Sequence, residues 1–255
     1  MQLNYKQFGE GFPLIILHGL FGSLDNWQTI AKRLAENLRV FIIDQRNHGK
    51  SAHSKAFNYD LLAADLAAFM YEHQLPKAHI IGHSMGGKTA MKFALLHPEN
   101  VDKLVVVDIS PSAYDDKHHE VFNALFAAHV EQAQSRESVE KILREKLSDE
   151  ATVLFLMKNL TRNENGTGFR WKFNVESLFE NYAAISGAIT SAKPFAGETL
   201  FIKGEHSNYI NASNYSNINS LFPHHQLSEI KGAGHWVHAD KPEEFVNEVK
   251  GFLQQ

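Results

Sequence analysis

The fold is decided by Gly82-His83-Ser84-Met85-Gly86-Gly87, which stands between an apolar run at 77–81 and a helix-like segment at 88–94. A Gly-x-Ser-x-Gly sequence between a strand and a helix predicts a sharp turn, because small flanking residues let the chain turn tightly enough to push a serine hydroxyl outward. Ser84 is therefore the candidate nucleophile.

The composition is that of an ordinary globular protein. The chain has 255 residues, of which 44% are hydrophobic and 21% charged, with a formal net charge of -4. This length suits one domain with a large core, and the weakly acidic balance provides no basic surface for nucleic acid, so we expect no nucleic-acid partner. The absence of cysteine excludes disulfides and thiolate metal sites and fits a reducing cytoplasm.

Neither a targeting segment nor a membrane span is predicted. Residues 1–6 lack a basic start followed by an apolar stretch, and no run approaches the roughly 18–20 apolar residues that cross a bilayer. We therefore expect a soluble, unprocessed, cytoplasmic protein. The 15 histidines include the pairs His118-His119 and His224-His225. Neither pair has a carboxylate or cysteine to complete a ligand set, so we predict surface histidines and no metal.

Short apolar runs alternate with longer helical patterns, which predicts a mostly parallel central sheet flanked by helices on both faces. The near-continuous apolar character of the runs predicts strands buried on both faces. After a strand or hairpin at 3–8, the predicted strands are 14–17, 40–43, 79–81, 104–107, 200–202 and 226–230. The predicted helices between them are 27–37, 59–73, 88–97, 212–221 and 243–253.

Residues 112–194 interrupt this alternation with helical patterns at 120–129, 139–147 and 150–160. We interpret them as a helical cap inserted into a core domain formed by residues 1–111 and 195–255. An insertion at this point hangs over the carboxyl edge of the sheet, where open α/β folds bind ligands, and would exclude water from the site. The alternative is a segment that merely covers one face of the sheet.

A candidate base lies in Gly232-Ala233-Gly234-His235-Trp236. A serine hydroxyl is a poor nucleophile until a positioned base takes its proton. His235 follows the last predicted strand and precedes the final helix, which places it at the same sheet edge as Ser84. His238 would form a His-x-x-His pair with it, but no third ligand is evident, so we predict neither a metal nor a cofactor.

Three motifs resemble those of the α/β-hydrolase superfamily: His18-Gly19, Gly82-His83-Ser84-Met85-Gly86 and Gly234-His235. The resemblance spans nearly the whole chain and implies the α/β-hydrolase fold with a serine nucleophile. The longer strings at 17–26, 44–49 and 232–239 resemble a subgroup, the YbfF-like bacterial esterases. That resemblance implies short-chain esters or thioesters such as acyl-CoA as substrates.

The third member of the triad departs from the usual superfamily pattern. In most members the acid lies three residues beyond a glycine that resembles Gly204, and here that position holds Ser207. We predict Asp108 as the acid, because it ends the strand next to the one that carries Ser84, and some members of the superfamily place the acid there. The alternative for Asp108 is a structural cap of the turn at Ser110-Pro111.

Two more residues, at or near the position where most members have the acid, are candidates for a role in the site. Glu205 is the rival acid, although its place directly after Gly204 aims its side chain less well. A hydroxyl at Ser207 could bond Asp108 or His235 and hold the pair in register, which would make a set of four.

Oxyanion stabilisation requires preorganised amide donors. We expect the backbone N–H groups of Met85, directly after the nucleophile, and of Leu20, in the loop after strand 14–17. Phe21 either walls an acyl pocket or packs in the core. The turn at 44–51 contains two further residues of interest. We expect Arg46 to brace neighbouring loops through forked hydrogen bonds, and substrate binding is the alternative. We expect Asn47 to take a left-handed backbone.

These residues predict a serine esterase that hydrolyses carboxylic esters, and thioesters as a secondary expectation, through an acyl-enzyme on Ser84. Cap aromatics such as Phe122, Phe126, Trp171 and Phe173 suit an apolar acyl chain or simply pack the cap. A carbon–carbon bond hydrolase of the same fold is a second candidate, against which Ser207 counts. A slow-turnover, ligand-sensing signalling protein is a third, because fold alone does not settle function.

Overall fold

A seven-stranded sheet forms the centre of the computed structural model, which describes residues 1–115, 118–164 and 166–254. The strand order is β1-β3-β2-β4-β5-β8-β9, and every neighbouring pair is parallel except β1 with β3. The strands are β1 (Tyr5–Phe8), β2 (Phe12–Leu17), β3 (Leu38–Ile43), β4 (Ala78–His83), β5 (Val101–Val107), β8 (Glu198–Gly204) and β9 (His225–Ile230). This mostly parallel α/β architecture confirms the predicted fold class.

Helices cover both faces of the sheet. Their bounds are α1 (Gln28–Leu34), α2 (Tyr59–Glu72), α3 (Met85–Leu96), α9 (Tyr215–Leu221), α10 (Val237–Asp240) and α11 (Pro242–Leu253), with 3-10 turns at Leu24–Trp27, Pro98–Asn100 and Ala212–Asn214. A further 3-10 turn, Val130–Gln132, lies in the chain between β5 and β8. Alternate residues of the central strands enter opposite cores: Ile15 and Leu17 join one, Leu14 and Ile16 the other. Burial on both sides of the sheet explains the continuous apolar runs.

Of the strand or hairpin predicted at 3–8, the structure has the strand, and β1 pairs with β3. One prediction at the sheet edge is corrected. Strand β9 is not buried on both faces, because it pairs on one side only and ends the sheet. Of its residues only Ile230 is buried, and Leu227 is 41% exposed.

Between β5 and β8 the chain forms five helices and a small hairpin in the part that the structure describes, with residues 116, 117 and 165 outside it. The elements are α4 (His119–Ala127), α5 (Arg136–Lys146), α6 (Glu150–Lys158), α7 (Val175–Glu180) and α8 (Tyr182–Ser186), with β6 (Leu160–Arg162) antiparallel to β7 (Phe169–Trp171). The hairpin was not predicted, and the helix predicted to reach residue 160 ends at Lys158. We call residues 112–194 the inserted segment; its limits as a separate cap domain stay a prediction.

Candidate active site

Ser84 occupies a sharp turn between β4 and α3. Its backbone has φ 53 and ψ -118, a sparsely populated conformation that costs energy and persists only where the surroundings enforce it. A Cβ on Gly86 would lie 2.4 Å from the carbonyl oxygen of Leu17, so only glycine lets α3 start this close to the end of β2. The half-buried Ser84 side chain therefore emerges at the carboxyl edge of the sheet, as the motif predicts.

The fully buried carboxylate of Asp108 lies one strand further along this edge, directly after β5. Its Oδ2 accepts hydrogen bonds from His235 Nδ1, at 2.6 Å, and from the Ser207 hydroxyl, and its Oδ1 accepts one from Gly204 N at 3.1 Å. Three donors thus fix the orientation of this carboxylate: two from the end of β8 and the loop after it, and one from the loop that carries His235.

The imidazole of His235 is held in one orientation and one tautomer. Because Nδ1 donates to Asp108, the other ring nitrogen, Nε2, carries the lone pair that a base needs. Tyr209 stacks on the ring at a centroid distance of 4.1 Å, and His83 Nε2 donates to the His235 carbonyl oxygen at 2.8 Å. Ser84 and His235 border the same cavity.

Neither alternative to Asp108 as the triad acid, Glu205 in its place or Asp108 as a cap of the turn at Ser110-Pro111, matches the contacts. Glu205 Oε2 accepts from Gly232 N at 2.7 Å, so this carboxylate braces the loop that leads to His235 instead of reaching its ring. The turn at Ser110-Pro111 is bonded by Tyr114, whose hydroxyl accepts from Ser110 N at 2.9 Å. The structure thus brings together Asp108, His235 and Ser207.

A loop at residues 18–22 lies beside the nucleophile. Gly22 N donates to Gly19 O at 3.1 Å, and Phe21, with φ 61, donates its N–H to His48 Nε2 at 3.3 Å. In the part of the chain that the structure describes, no protein acceptor binds the N–H of Leu20. The N–H of Met85, at the first position of α3, has no intrahelical acceptor. Among the described residues, neither of the two amides expected to form the oxyanion hole donates to a protein acceptor.

Sequence reasoning missed His48, which supports this loop from below. Its Nδ1 donates to the carbonyl oxygen of Arg46 at 2.9 Å, so Nε2 accepts from Phe21. Burial holds the pKa of His48 well below its usual value and keeps the ring neutral. In the sequence, the only feature that pointed to His48 was its place in the 44–49 motif.

Two cavities meet at Ser84. The outer cavity, of about 280 Å³, is bordered by His235, by core residues such as Trp27 and Trp236, and by Thr152 and Phe155 of the inserted segment. The inner chamber, of about 30 Å³, is bordered by Met85, Lys88 and several tyrosines but not by His235. Leu20 and Tyr209 border both, so the cavities join at the nucleophile.

Of the two roles expected for the cap aromatics, lining an acyl pocket or packing the cap, the structure favours packing. Phe122, Trp171 and Phe173 are buried in packing, Phe126 is 40% exposed, and none of the four borders either cavity. Phe155 and Trp236, which contact each other at 5.4 Å between centroids, line the outer cavity instead. Phe21 does both things expected of it: it borders the outer cavity and packs against Phe122.

Other histidines behave as structural groups. His238 stacks on Trp27 at 3.9 Å between ring centroids, and burial lowers its pKa to about 3. Among residues 1–115, 118–164 and 166–254 no group of three or more candidate ligands could hold a metal. His118 is a correction to the expected surface histidines: its Nδ1 lies 2.7 Å from the Tyr182 hydroxyl and it borders both cavities.

Arg46 braces the fold away from the cavities. It forms a forked bond to the buried Asp65, with Nε–Oδ2 at 2.6 Å and Nη2–Oδ1 at 2.9 Å, and also donates to Ala56 O at 3.0 Å. Asn47 has φ 62, the left-handed backbone predicted for it. The structural role expected for Arg46 fits these contacts, whereas Asp65 was not singled out from the sequence.

Comparisons with known proteins agree with this architecture. A family model described as alpha/beta hydrolase fold matches residues 13–242. Esterase YbfF of Escherichia coli is 36% identical over 94% of this chain and 92% of its own. The sn-1-specific diacylglycerol lipase ABHD11 of Xenopus laevis is 39% identical over 96% of this chain and 80% of its own. A solved marine microorganism esterase superposes with a TM-score of 0.96 at 41% identity, covering 98% of this chain and 99% of its own.

Proposed function

The chain belongs to the alpha/beta hydrolase family and is a carboxylic-ester hydrolase, and we propose that it works by acyl transfer to Ser84. The observation that carries the proposal is the hydrogen bond of 2.6 Å from His235 Nδ1 to the buried Asp108, with His235 and Ser84 bordering one cavity. The arrangement provides a nucleophile, a base and a group that orients the base.

In the first half-reaction, Ser84 Oγ bonds to the ester carbonyl carbon while His235 Nε2 takes the hydroxyl proton. The N–H groups of Leu20 and Met85 bind the oxyanion, and one such donor stabilises a comparable transition state by about 3–4 kcal/mol. The carbon–oxygen bond of the ester then breaks, and the alcohol leaves with the proton from His235. Asp108 stabilises the imidazolium in between.

Water completes the cycle. It attacks the acyl-enzyme as His235 takes its proton, the bond to Ser84 Oγ breaks, and Ser84 recovers a proton from His235 as the carboxylic acid leaves. The same route applies to a thioester, since acyl transfer to Ser84 exchanges sulfur for oxygen at the carbonyl carbon. Acyl-CoA therefore belongs in the proposed substrate range.

The direct test compares Ser84→Ala with Ser191→Ala, a matched change at an exposed serine. The expected loss in kcat on p-nitrophenyl acetate and butyrate is on the order of 10⁶ for Ser84→Ala, by analogy with removal of a serine-protease nucleophile. Ser191→Ala should retain wild-type turnover. Undiminished turnover in Ser84→Ala would show that another nucleophile acts.

The same assay separates the other candidate functions. A signalling protein would turn over these esters at rates near those of uncatalysed hydrolysis. A carbon–carbon bond hydrolase would prefer a diketone substrate over every acyl ester. A parallel screen of acyl-CoA thioesters, with Ser84→Ala as the blank, decides whether thioesters are cleaved.

A further inference from the structure

Lys88 stands out because its side chain is buried and none of the proposed catalytic steps uses it. It is 1% exposed and lies four residues after the nucleophile, on the first turns of α3. Burial lowers its pKa to about 7. A buried ammonium is costly unless it is fully hydrogen-bonded, so the partners of Lys88 indicate what it does.

The ammonium group joins both ends of the inserted segment to α3. Its Nζ donates to Ser112 O at 2.9 Å at the start of that segment, and to Ser186 O at 3.2 Å and Gly187 O at 2.5 Å near its end. The ring of Tyr114 lies 4.9 Å from Nζ and adds a cation–π contact. Three donors with three carbonyl acceptors leave none for a ligand, so Lys88 acts through the backbone that it holds.

That backbone forms walls of the inner chamber. Tyr114, Ile185 and Ser186 border the chamber together with Lys88 and Ser84. Two further hydrogen bonds hold the same two segments in place. Tyr114 N donates to Ser186 O at 2.9 Å, and the Tyr59 hydroxyl donates to Ile185 O at 2.7 Å. The width of the chamber therefore depends on how closely the two ends of the inserted segment are held to α3.

The orientation of the tetrahedral intermediate places the acyl group in this chamber. In the tetrahedral intermediate the leaving oxygen must face His235, which gives it a proton, and the oxyanion must face the amides of Leu20 and Met85. His235 borders only the outer cavity, so the leaving group lies there. The remaining substituent, the acyl chain, points into the inner chamber.

The chamber is small. A cavity needs about 10–15 Å³ open to the centre of a water-sized sphere to hold one such group, so about 30 Å³ accommodates two or three non-hydrogen atoms beyond the carbonyl. We propose that Lys88 is a positioning residue that sets acyl-chain selectivity, holding both ends of the inserted segment against α3 so that the chamber admits short acyl groups and excludes long ones. The inference rests on the acyl-enzyme proposed above.

The test is the acyl-length profile of Lys88→Met, which keeps the length of the side chain and removes its donors. Lys92→Met is the matched control: it lies one turn later on α3, where Lys92 pairs with Asp60 at 2.9 Å away from both cavities. We would measure kcat/KM for p-nitrophenyl acetate, butyrate, hexanoate and octanoate with each purified variant, and check its fold by circular dichroism and thermal unfolding.

Wild type and Lys92→Met should favour acetate and butyrate. In Lys88→Met the carbonyls of Ser112 and Gly187 lose the Lys88 donor, and that of Ser186 keeps only Tyr114 N. The walls then separate, and the octanoate-to-acetate ratio of kcat/KM should rise about tenfold or more. A merely structural role would lower all four values together and leave the ratio unchanged. Should Lys88→Met not fold, Lys88→Gln, which keeps two N–H donors, should give a smaller rise in the same direction.

Two results would overturn the inference: an unchanged ratio in a folded Lys88 variant, or a wild type that turns over octanoate as well as acetate. Both results are judged only from the ester turnover that depends on Ser84, which is the turnover that Ser84→Ala abolishes. Failure of the acyl-enzyme proposal would instead show as activity that survives Ser84→Ala, whatever the acyl preference of the Lys88 variants.

Discussion

Replacing Asp108 by asparagine should cost about 10⁴ in kcat, or roughly 5.5 kcal/mol of transition-state stabilisation at 1.36 kcal/mol per tenfold. The carboxylate now accepts from three donors: His235 Nδ1, the Ser207 hydroxyl and Gly204 N. An amide offers one oxygen and a donor NH₂ group in the same space. If the NH₂ faces His235, the ring must accept at Nδ1 and carry its proton on Nε2, where it cannot take a proton from Ser84.

The assay is kcat and KM on p-nitrophenyl acetate and butyrate, with Glu205→Gln as the matched control. Glu205 contacts Gly232 N and not the imidazole, so its amide variant should stay within about tenfold of wild type. KM should change little in Asp108→Asn, since Asp108 is fully buried and borders neither cavity. A loss below tenfold in Asp108→Asn, or a larger loss in Glu205→Gln, would refute the assignment of Asp108 as the triad acid.

Two further predictions concern one contact of Asp108 and one buried ion pair away from the cavities. Ser207→Ala removes one donor to the oxygen of Asp108 that also bonds His235, and should lower kcat about tenfold, in line with one hydrogen bond to a charged group; a loss equal to that of Asp108→Asn would contradict a supporting role. Arg46→Met removes the forked partner of the buried Asp65 and should lower the free energy of unfolding by about 3 kcal/mol, measured by urea denaturation. The exposed pair of Arg144 with Glu140 provides the control, because Arg144→Met should change that free energy by less than about 1 kcal/mol.

The parts of the fold that could be predicted are those whose cause is local. Strands β2 and β4 are buried on both faces, so their apolar runs reveal them without knowledge of their neighbours. The hairpin β6–β7 has strands of three residues, too short for a periodic pattern to emerge from the sequence. The exposed face of β9 had a signal that the prediction of burial on both faces passed over, because four of its six residues are polar: His225, Gln226, Ser228 and Glu229.

The same distinction holds for the candidate site. Ser84 and His235 lie in turns whose small residues mark them, and strand order alone predicts that Asp108 shares their edge of the sheet. His48, Tyr209 and Lys88 act through contacts with residues distant in the sequence, and a histidine, tyrosine or lysine in a single sequence carries no sign of such a partner. The catalytic roles of Ser84, Asp108, His235 and Ser207 stay predictions until the variants are measured.

The contacts around Gly204 explain how an acid after β5 can serve a base that follows β9, two strands away. Strand β8 lies between them and ends at Gly204. A Cβ there would lie 2.2 Å from Gly234 O, so the missing side chain lets the loop carrying His235 fold across the end of β8. Asp108, with φ 50, turns its carboxylate toward that loop and accepts from Gly204 N on the way. A hydroxyl at 207 donates to this carboxylate, whereas a second carboxylate at the same place would repel it. A hydrogen-bond donor such as the Ser207 hydroxyl therefore suits the position beside an acid at 108, and the carboxylate of the usual superfamily pattern does not.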